Sequence, residues 1–247
     1  MNDLRSVIRG VSERLRDREV VTEEEIRRIA LRVMLEQFGS EEVNEIDDLL
    51  SAVVESLCNE PVSVESLHYS ERLSIEGVNF RHLHTCSPTE EKLNLAYQEW
   101  LKSKRFLESI DIMKEVTDRF FSGYSVNDGL IRLYRKNRYR YGVFYSIIDD
   151  VSQDISIHEH VAGSFNGEYV VVVPTEERLT SFIEFFKSHS ERVKRAGFRI
   201  WVVNVEERTI DPFIGYPKDF LLLKGFKNPK IASQINSLWR SSIEEID

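Results

Sequence analysis

The sequence has little of what would staple, anchor or kink a chain. Two cysteines in 247 residues, Cys58 and Cys86, are too few for a disulfide framework. No stretch approaches the roughly 20 apolar residues of a membrane-spanning helix, the longest apolar run being Tyr169 to Val173, so a membrane partner is excluded. The opening residues Met1-Asn2-Asp3-Leu4-Arg5 form no apolar leader, and a cytoplasmic location is expected. The sequence contains neither a Gly-x-Gly-x-x-Gly fingerprint nor a phosphate-loop Gly-Lys-Ser/Thr, which removes the usual nucleotide-cofactor folds. Ser164, inside Gly163-Ser164-Phe165-Asn166-Gly167, sits at a turn rather than at a strand-to-helix elbow and makes a poor nucleophile. Glutamine, methionine and cysteine are sparse beside frequent Glu and Arg, a balance met in thermophile proteins.

What is present fits a soluble globular protein: 41% hydrophobic residues and 30% charged ones. The net charge of −9 is unevenly placed. Residues 1–119 carry 16 Lys+Arg against 25 Asp+Glu, whereas residues 120–247 carry 17 of each. Two parts with different surfaces are therefore expected, and an acidic total does not by itself exclude nucleic acid.

The first half reads as helices. Leu4, Val7, Ile8, Val11 and Leu15 recur at helical spacing. Thr22 and Glu25 form a capping box ahead of Ile26, Ile29, Ala30, Val33 and Met34, and Gly39 stops that helix. Ser40 opens a third, striped by Val43, Ile46, Leu49, Leu50, Val53, Val54 and Leu57. A strand or short hairpin fits Val78 to His84. Ser87, Pro88 and Glu90 then announce a long helix or helix pair ended by Gly123, and Ser125 caps a further helix from Val126 to about Lys136.

After Tyr139 the pattern becomes strands. Gly142 to Ile148 alternates aromatic and aliphatic residues and Ile155 to Val161 alternates again, leading into Asn166-Gly167, a type I′ hairpin signal, and Tyr169 to Val173. Glu176 to Ala196 reads as a helix stopped by Gly197. Phe198 to Val205 and Thr209 to Tyr216 read as a second hairpin with Pro212 at an edge, and Ile231 to Ile246 as a closing helix. The fold class expected is α+β: a helical domain over 1–124, then an α/β domain over 125–247 with a small mixed β-sheet flanked by helices.

The order helix, strand, strand, strand, helix, strand from Val126 to Val205 resembles the core of the restriction-endonuclease-like PD-(D/E)xK superfamily. The resemblance implies a second-strand carboxylate and a third-strand Glu-x-Lys holding divalent cations that activate water. The Glu-x-Lys positions fall on Val172-Val173-Pro174, which supply neither ligand nor cation, so the resemblance implies a degenerate member. An active relative would need Asp150, Glu159 and Glu168 to converge around Mg2+, with Glu176 or Glu177 and Arg178 or Lys187 replacing the lost motif. The competing reading is an ordinary sheet whose Val170 to Val173 is apolar because both faces are covered.

Two other constellations carry chemistry. Arg132, Tyr134, Arg135, Lys136, Arg138, Tyr139 and Arg140 crowd one strip, where guanidinium groups can fork onto phosphates and rings can stack on bases, or where the cations pair with the acidic half. His82, His84 and Cys86 alternate, and with Cys58 or His68 would complete a Zn2+ site. The function expected is DNA or RNA binding by a catalytically degenerate nuclease-like domain. The alternatives are a divalent-metal nuclease and a module binding a protein partner through its acidic helices, whose apolar stripes also allow a homodimer.

Overall fold

The computed structural model describes residues 2–18, 20–39, 46–58, 71–75, 77–82, 89–175 and 179–231. The chain divides into two units, residues 1–38 with 43–108 and residues 39–42 with 109–247, the main change falling between Glu108 and Ser109, inside a helix rather than after it.

In the N-terminal unit, helices α1 (Asn2–Arg14), α2 (Glu23–Phe38) and α3 (Ile46–Cys58) pack on one another. Their apolar stripes explain why: Val7, Val11 and Leu15, then Ile26, Ala30, Val33 and Met34, then Val53 and Val54 are buried. Gly10 lets α1 and α2 close up, because a Cβ there would stand 2.6 Å from Val33 Cγ1. The Thr22 cap forms as the sequence suggests, its Oγ1 accepting from Glu25 N at 3.2 Å, and Gly39 adopts a φ of 57° past the end of α2. Between Arg14 and α2 lies β1 (Val20–Val21), which pairs with β3 (Val78–His82). β3 also pairs antiparallel with β2 (Glu71–Ile75) around Gly77, the hairpin expected near Val78. Val20, Val78 and Phe80 pack with Ala96, Tyr97 and Trp100 of α4 (Glu90–Phe120). Thr89 closes the α4 N-terminus, its carbonyl accepting from Leu93 N at 3.0 Å; Ser87 and Pro88 lie outside the described residues.

The C-terminal unit is built on a six-stranded mixed sheet in the order β4 (Ser125–Asn127), β5 (Arg132–Lys136), β6 (Tyr139–Tyr145), β7 (Glu168–Pro174), β8 (Arg199–Asn204) and β9 (Thr209–Ile214). β4, β5 and β6 run antiparallel, β6, β7 and β8 parallel, and β9 returns antiparallel at the edge, where Pro212 is tolerated. The crossovers are α5 (Ile148–Gln153) with α6 (Ile155–Ser164), and α7 (Thr180–Ala196). Both step the same way along the sheet, so right-handed connections put them on one face, and α5 and α6 both touch α7. The last turns of α4 cover the other face. Phe121 stacks on Tyr134 at 4.2 Å and meets Tyr141 and Trp201, while Phe120 meets Trp201 and Phe226. β7 is buried along its whole length, which is why its sequence is continuously apolar rather than alternating. The protein is α+β.

Two elements differ from the sequence reading. Ile155 to Val161 is helix α6, not a strand: the buried positions Val151, Ile155, His158, Val161 and Phe165 recur at helical spacing, and packing against β7 and α7 overrides the β preference of its isoleucines and valine. Asn166-Gly167 therefore joins a helix to β7 instead of closing a hairpin. Residues 126–136 form β4 and β5, not a helix; Ser125 Oγ donates to Arg135 O across that pair at 3.0 Å. The closing helix expected over 231–246 lies, but for Ile231, outside the described residues.

Candidate functional site

Strand alternation divides the Arg132 to Tyr141 strip between the two faces of the sheet. Arg132 and Tyr134 point towards α4. Arg132 donates to Asp118 at 2.9 and 3.1 Å and pairs with Asp128, and Tyr134 is fully buried against Phe121 with its hydroxyl on Asp118 at 2.7 Å. Neither is presented to a ligand. Lys136 lies 5.2 Å over the Tyr124 ring, and Arg135 is exposed on the opposite face, opposite Arg140 in register. The β5–β6 turn is made by Asn137, whose φ of 52° suits its short polar side chain, and leaves Arg138 exposed beside it.

From that turn a cleft of about 640 Å³ opens, lined by Arg138, Tyr139, Arg140, Asn166, Gly167, Glu168, Lys218 and Phe220. It sits at the amino ends of the parallel strands. Arg138 donates to the Tyr139 hydroxyl at 3.1 Å. Arg140 lies 5.2 Å over the Phe165 ring, and its Nε is buried without a hydrogen-bond partner. Gly167 is required here, since a Cβ would stand 2.6 Å from the Arg140 carbonyl oxygen. Glu168 is buried at the floor, where its carboxylate accepts from Lys218 N at 3.2 Å and pairs with Arg199 at 2.9 Å. Burial pushes the Glu168 pKa up from the carboxylate range, opposed by Arg199 and the Lys218 amide. Next to it the buried Asp219 accepts from the Tyr124 hydroxyl at 2.5 Å and from Leu221 N at 3.0 Å, while its own amide donates to the Tyr141 hydroxyl at 2.9 Å. Burial, then the bond to Asp219, holds the Tyr124 hydroxyl far above the usual phenol range. This framework fixes the short 3-10 helix Phe220–Gly225, whose first two side chains are 77% and 67% exposed.

Among the described residues no carboxylate stands within ion-pair distance of Arg138, Arg140 or Lys218. Two neighbouring arginines are committed to carboxylates: Arg192 forks onto Glu159 at 2.6 and 2.7 Å, and Arg199 sets one guanidinium nitrogen 2.9 Å from Glu168. Lys218 and Phe220 were not singled out from sequence, because the run Phe220-Leu221-Leu222-Leu223 reads like any buried segment. Tyr139 sits half-buried at the rim.

The carboxylates of the nuclease-type set do not converge. Asp150 lies in α5, beyond the carboxyl end of β6, while Glu168 begins β7 opposite Tyr141. Those are opposite ends of the sheet, about 13 Å apart along four residues of strand. Glu159 lies on α6, where the Arg192 fork holds its carboxyl below the usual range. No group of three or more His, Cys, Asp or Glu placed to hold a metal occurs among the described residues. In the expected Zn2+ set, the side chains of Cys58 and His82, and all of His68, His84 and Cys86, lie outside the described residues. Among the described residues no helix is long and apolar enough to cross a membrane.

Residues 99–228 match the family model described as "Domain of unknown function (DUF6834), C-terminal domain", a segment that contains every residue lining the cleft. Residues 6–97 match a second model, "Domain of unknown function (DUF6846)". No curated protein matches the chain.

Proposed function

We propose that this chain, which belongs to the DUF6834 C-terminal domain family, binds nucleic acid through the cationic cleft of its sheet. One observation carries the reading: in a protein of net charge −9, Arg138, Arg140 and Lys218 gather around one opening without carboxylate partners. Guanidinium and ammonium donors held this way suit phosphate oxygens, and the exposed Phe220 beside them offers a face on which a base can stack. The reading rests on the cleft and not on the nuclease-like resemblance, two of whose elements, over 126–136 and 155–161, have other conformations. Metal-dependent cleavage by Asp150, Glu159 and Glu168 forms no part of it, since the three lie apart.

The test is fluorescence anisotropy of labelled, 5′-phosphorylated single-stranded DNA and RNA in EDTA, at low and at physiological salt. Saturable binding that weakens steeply with salt is expected. Arg138→Ala with Arg140→Ala should weaken it by about tenfold or more, the scale of lost charge-assisted bonds. Arg192→Ala removes a cation engaged by Glu159 and should leave binding nearly unchanged. No binding at low salt, or an equal loss in the Arg192 variant, would refute the reading and turn the search towards a protein partner of the acidic helices.

A further inference from the structure

Resting on that reading, we infer that the cleft takes a single phosphorylated nucleotide, its phosphate among Arg138, Arg140 and Lys218 and its base against Phe220. A longer strand would contact the protein chiefly through its terminal nucleotide. The first argument is what the fold removes. A run of nucleotides needs a row of cations with a stacking face for each base. The strip that would supply one is spent on the core: Tyr134 and Tyr141 are fully buried and Arg132 is tied to Asp118 and Asp128. Phe220 is the most exposed ring bordering the cleft.

The second argument is size and rigidity. A cleft of about 640 Å³ lies within the range of small-ligand sites. Phe220 rides on the Tyr124, Tyr141 and Asp219 hydrogen bonds, so little ordering is lost when a base docks. The acid at the floor does not oppose a phosphate, because Glu168 is already matched by Arg199 and by the Lys218 amide. Arg140 brings a buried Nε with no hydrogen-bond partner to the same opening.

The experiment is a competition against a labelled 5′-phosphorylated oligonucleotide, using AMP, adenosine, inorganic phosphate and unlabelled 5′-phosphorylated and 5′-hydroxyl oligonucleotides of increasing length. AMP should displace the label, with adenosine and inorganic phosphate each about tenfold or more weaker. Affinity should rise less than about threefold beyond a dinucleotide, and the 5′-hydroxyl oligonucleotides should compete poorly; weak AMP beside strong 5′-phosphorylated competitors would identify a strand end as the source of the nucleotide. Phe220→Ala, a change at an exposed position, should weaken AMP about tenfold, within the span of base stacking. Affinity climbing tenfold or more with length, or indifference to the terminal phosphate, would overturn the single-nucleotide assignment while leaving nucleic-acid binding intact. Inorganic phosphate competing as well as AMP would overturn the nucleotide assignment, and failure of the oligonucleotide itself to bind would remove both readings.

Discussion

In the N-terminal unit Arg28, 4% exposed, donates to Ser103 at 2.9 Å and to Glu99 at 2.5 Å, and Arg18 meets the buried Glu25 at 2.9 Å, so charge is taken inside and paired. In the C-terminal unit the sheet face under α4 is filled with phenol and indole rings, while Arg138, Arg140 and Lys218 are left around a cleft whose one carboxylate, Glu168, pairs with Arg199 instead. A cation paired inside a fold is committed to that fold, since its donors are occupied and its partner would be stranded by removal. A cation at an opening with no carboxylate costs little to keep and has donors to offer. The unit with the larger excess of negative charge thus ties Arg18 and Arg28 into its structure, whereas Arg138, Arg140 and Lys218 of the other unit have no such ion pair.

The largest expected effect breaks the aromatic side of that comparison. Phe121→Ala removes the ring against which Tyr134, Tyr141, Tyr124 and Trp201 all rest, and should destabilise the C-terminal unit by about 4 kcal/mol in denaturant unfolding. A loss below about 1 kcal/mol would mean that the cluster repacks around the space.

Next comes the paired-charge side. Arg28→Met removes the closer of the two cations on Glu99, leaving Lys102 at 3.3 Å, and should cost about 3 kcal/mol, at the low end for a buried pair because Glu99 is 21% exposed and keeps that second partner. Adding Glu99→Leu should recover most of that loss; a double variant as unstable as the single would show that Arg28 acts through packing.

Glu25 tests the same network by pH. Burial raises its pKa from 4.5 to about 7 in the fold, opposed by Arg18. Between those values the folded chain holds a proton that the unfolded chain has released, so this group's contribution is complete below about 4.5 and is lost as pH rises through 7. The full change is at most about 3 kcal/mol. Glu25→Gln should flatten stability across that window, measured as the wild-type minus variant unfolding midpoint from acid to neutral pH. A slope unchanged by the substitution would place the titration elsewhere.

These contrasts show which parts of the molecule the sequence made legible. The stripes of α1 to α3, the Thr22 cap, the stops at Gly39 and Gly197 and the edge position of Pro212 follow from local chemistry that context does not alter. Helix α6 did not follow, because Ile155-Ser-Ile-His-Glu-His-Val161 alternates like a strand while also burying Ile155, His158 and Val161 at helical spacing, and only packing decides between the two periods. The cationic strip was visible as composition but not as function. Whether Arg132 is a ligand hand or a core tie depends on Asp118, 14 residues away on another element. Lys218 carries no signal at all until the return of β9 brings it to the amino end of β7.

Lys218 also gives the smallest expected effect and the sharpest form of the comparison. Two cations flank Glu168, and they do different things. Arg199 reaches the carboxylate with its guanidinium at 2.9 Å, both side chains being largely buried, so its charge belongs to the fold. Lys218 contacts the same carboxylate through its backbone amide, which any residue supplies, and its exposed side chain contributes to the cleft. Lys218→Ala should therefore shift stability by no more than about 0.5 kcal/mol. Arg199→Ala, by leaving a buried carboxylate without its cation, should cost several times more. Thermal unfolding of the two variants separates these outcomes. Equal losses would mean that the lysine ammonium is as structural as the guanidinium, and the cleft would then hold one fewer cation for a phosphate.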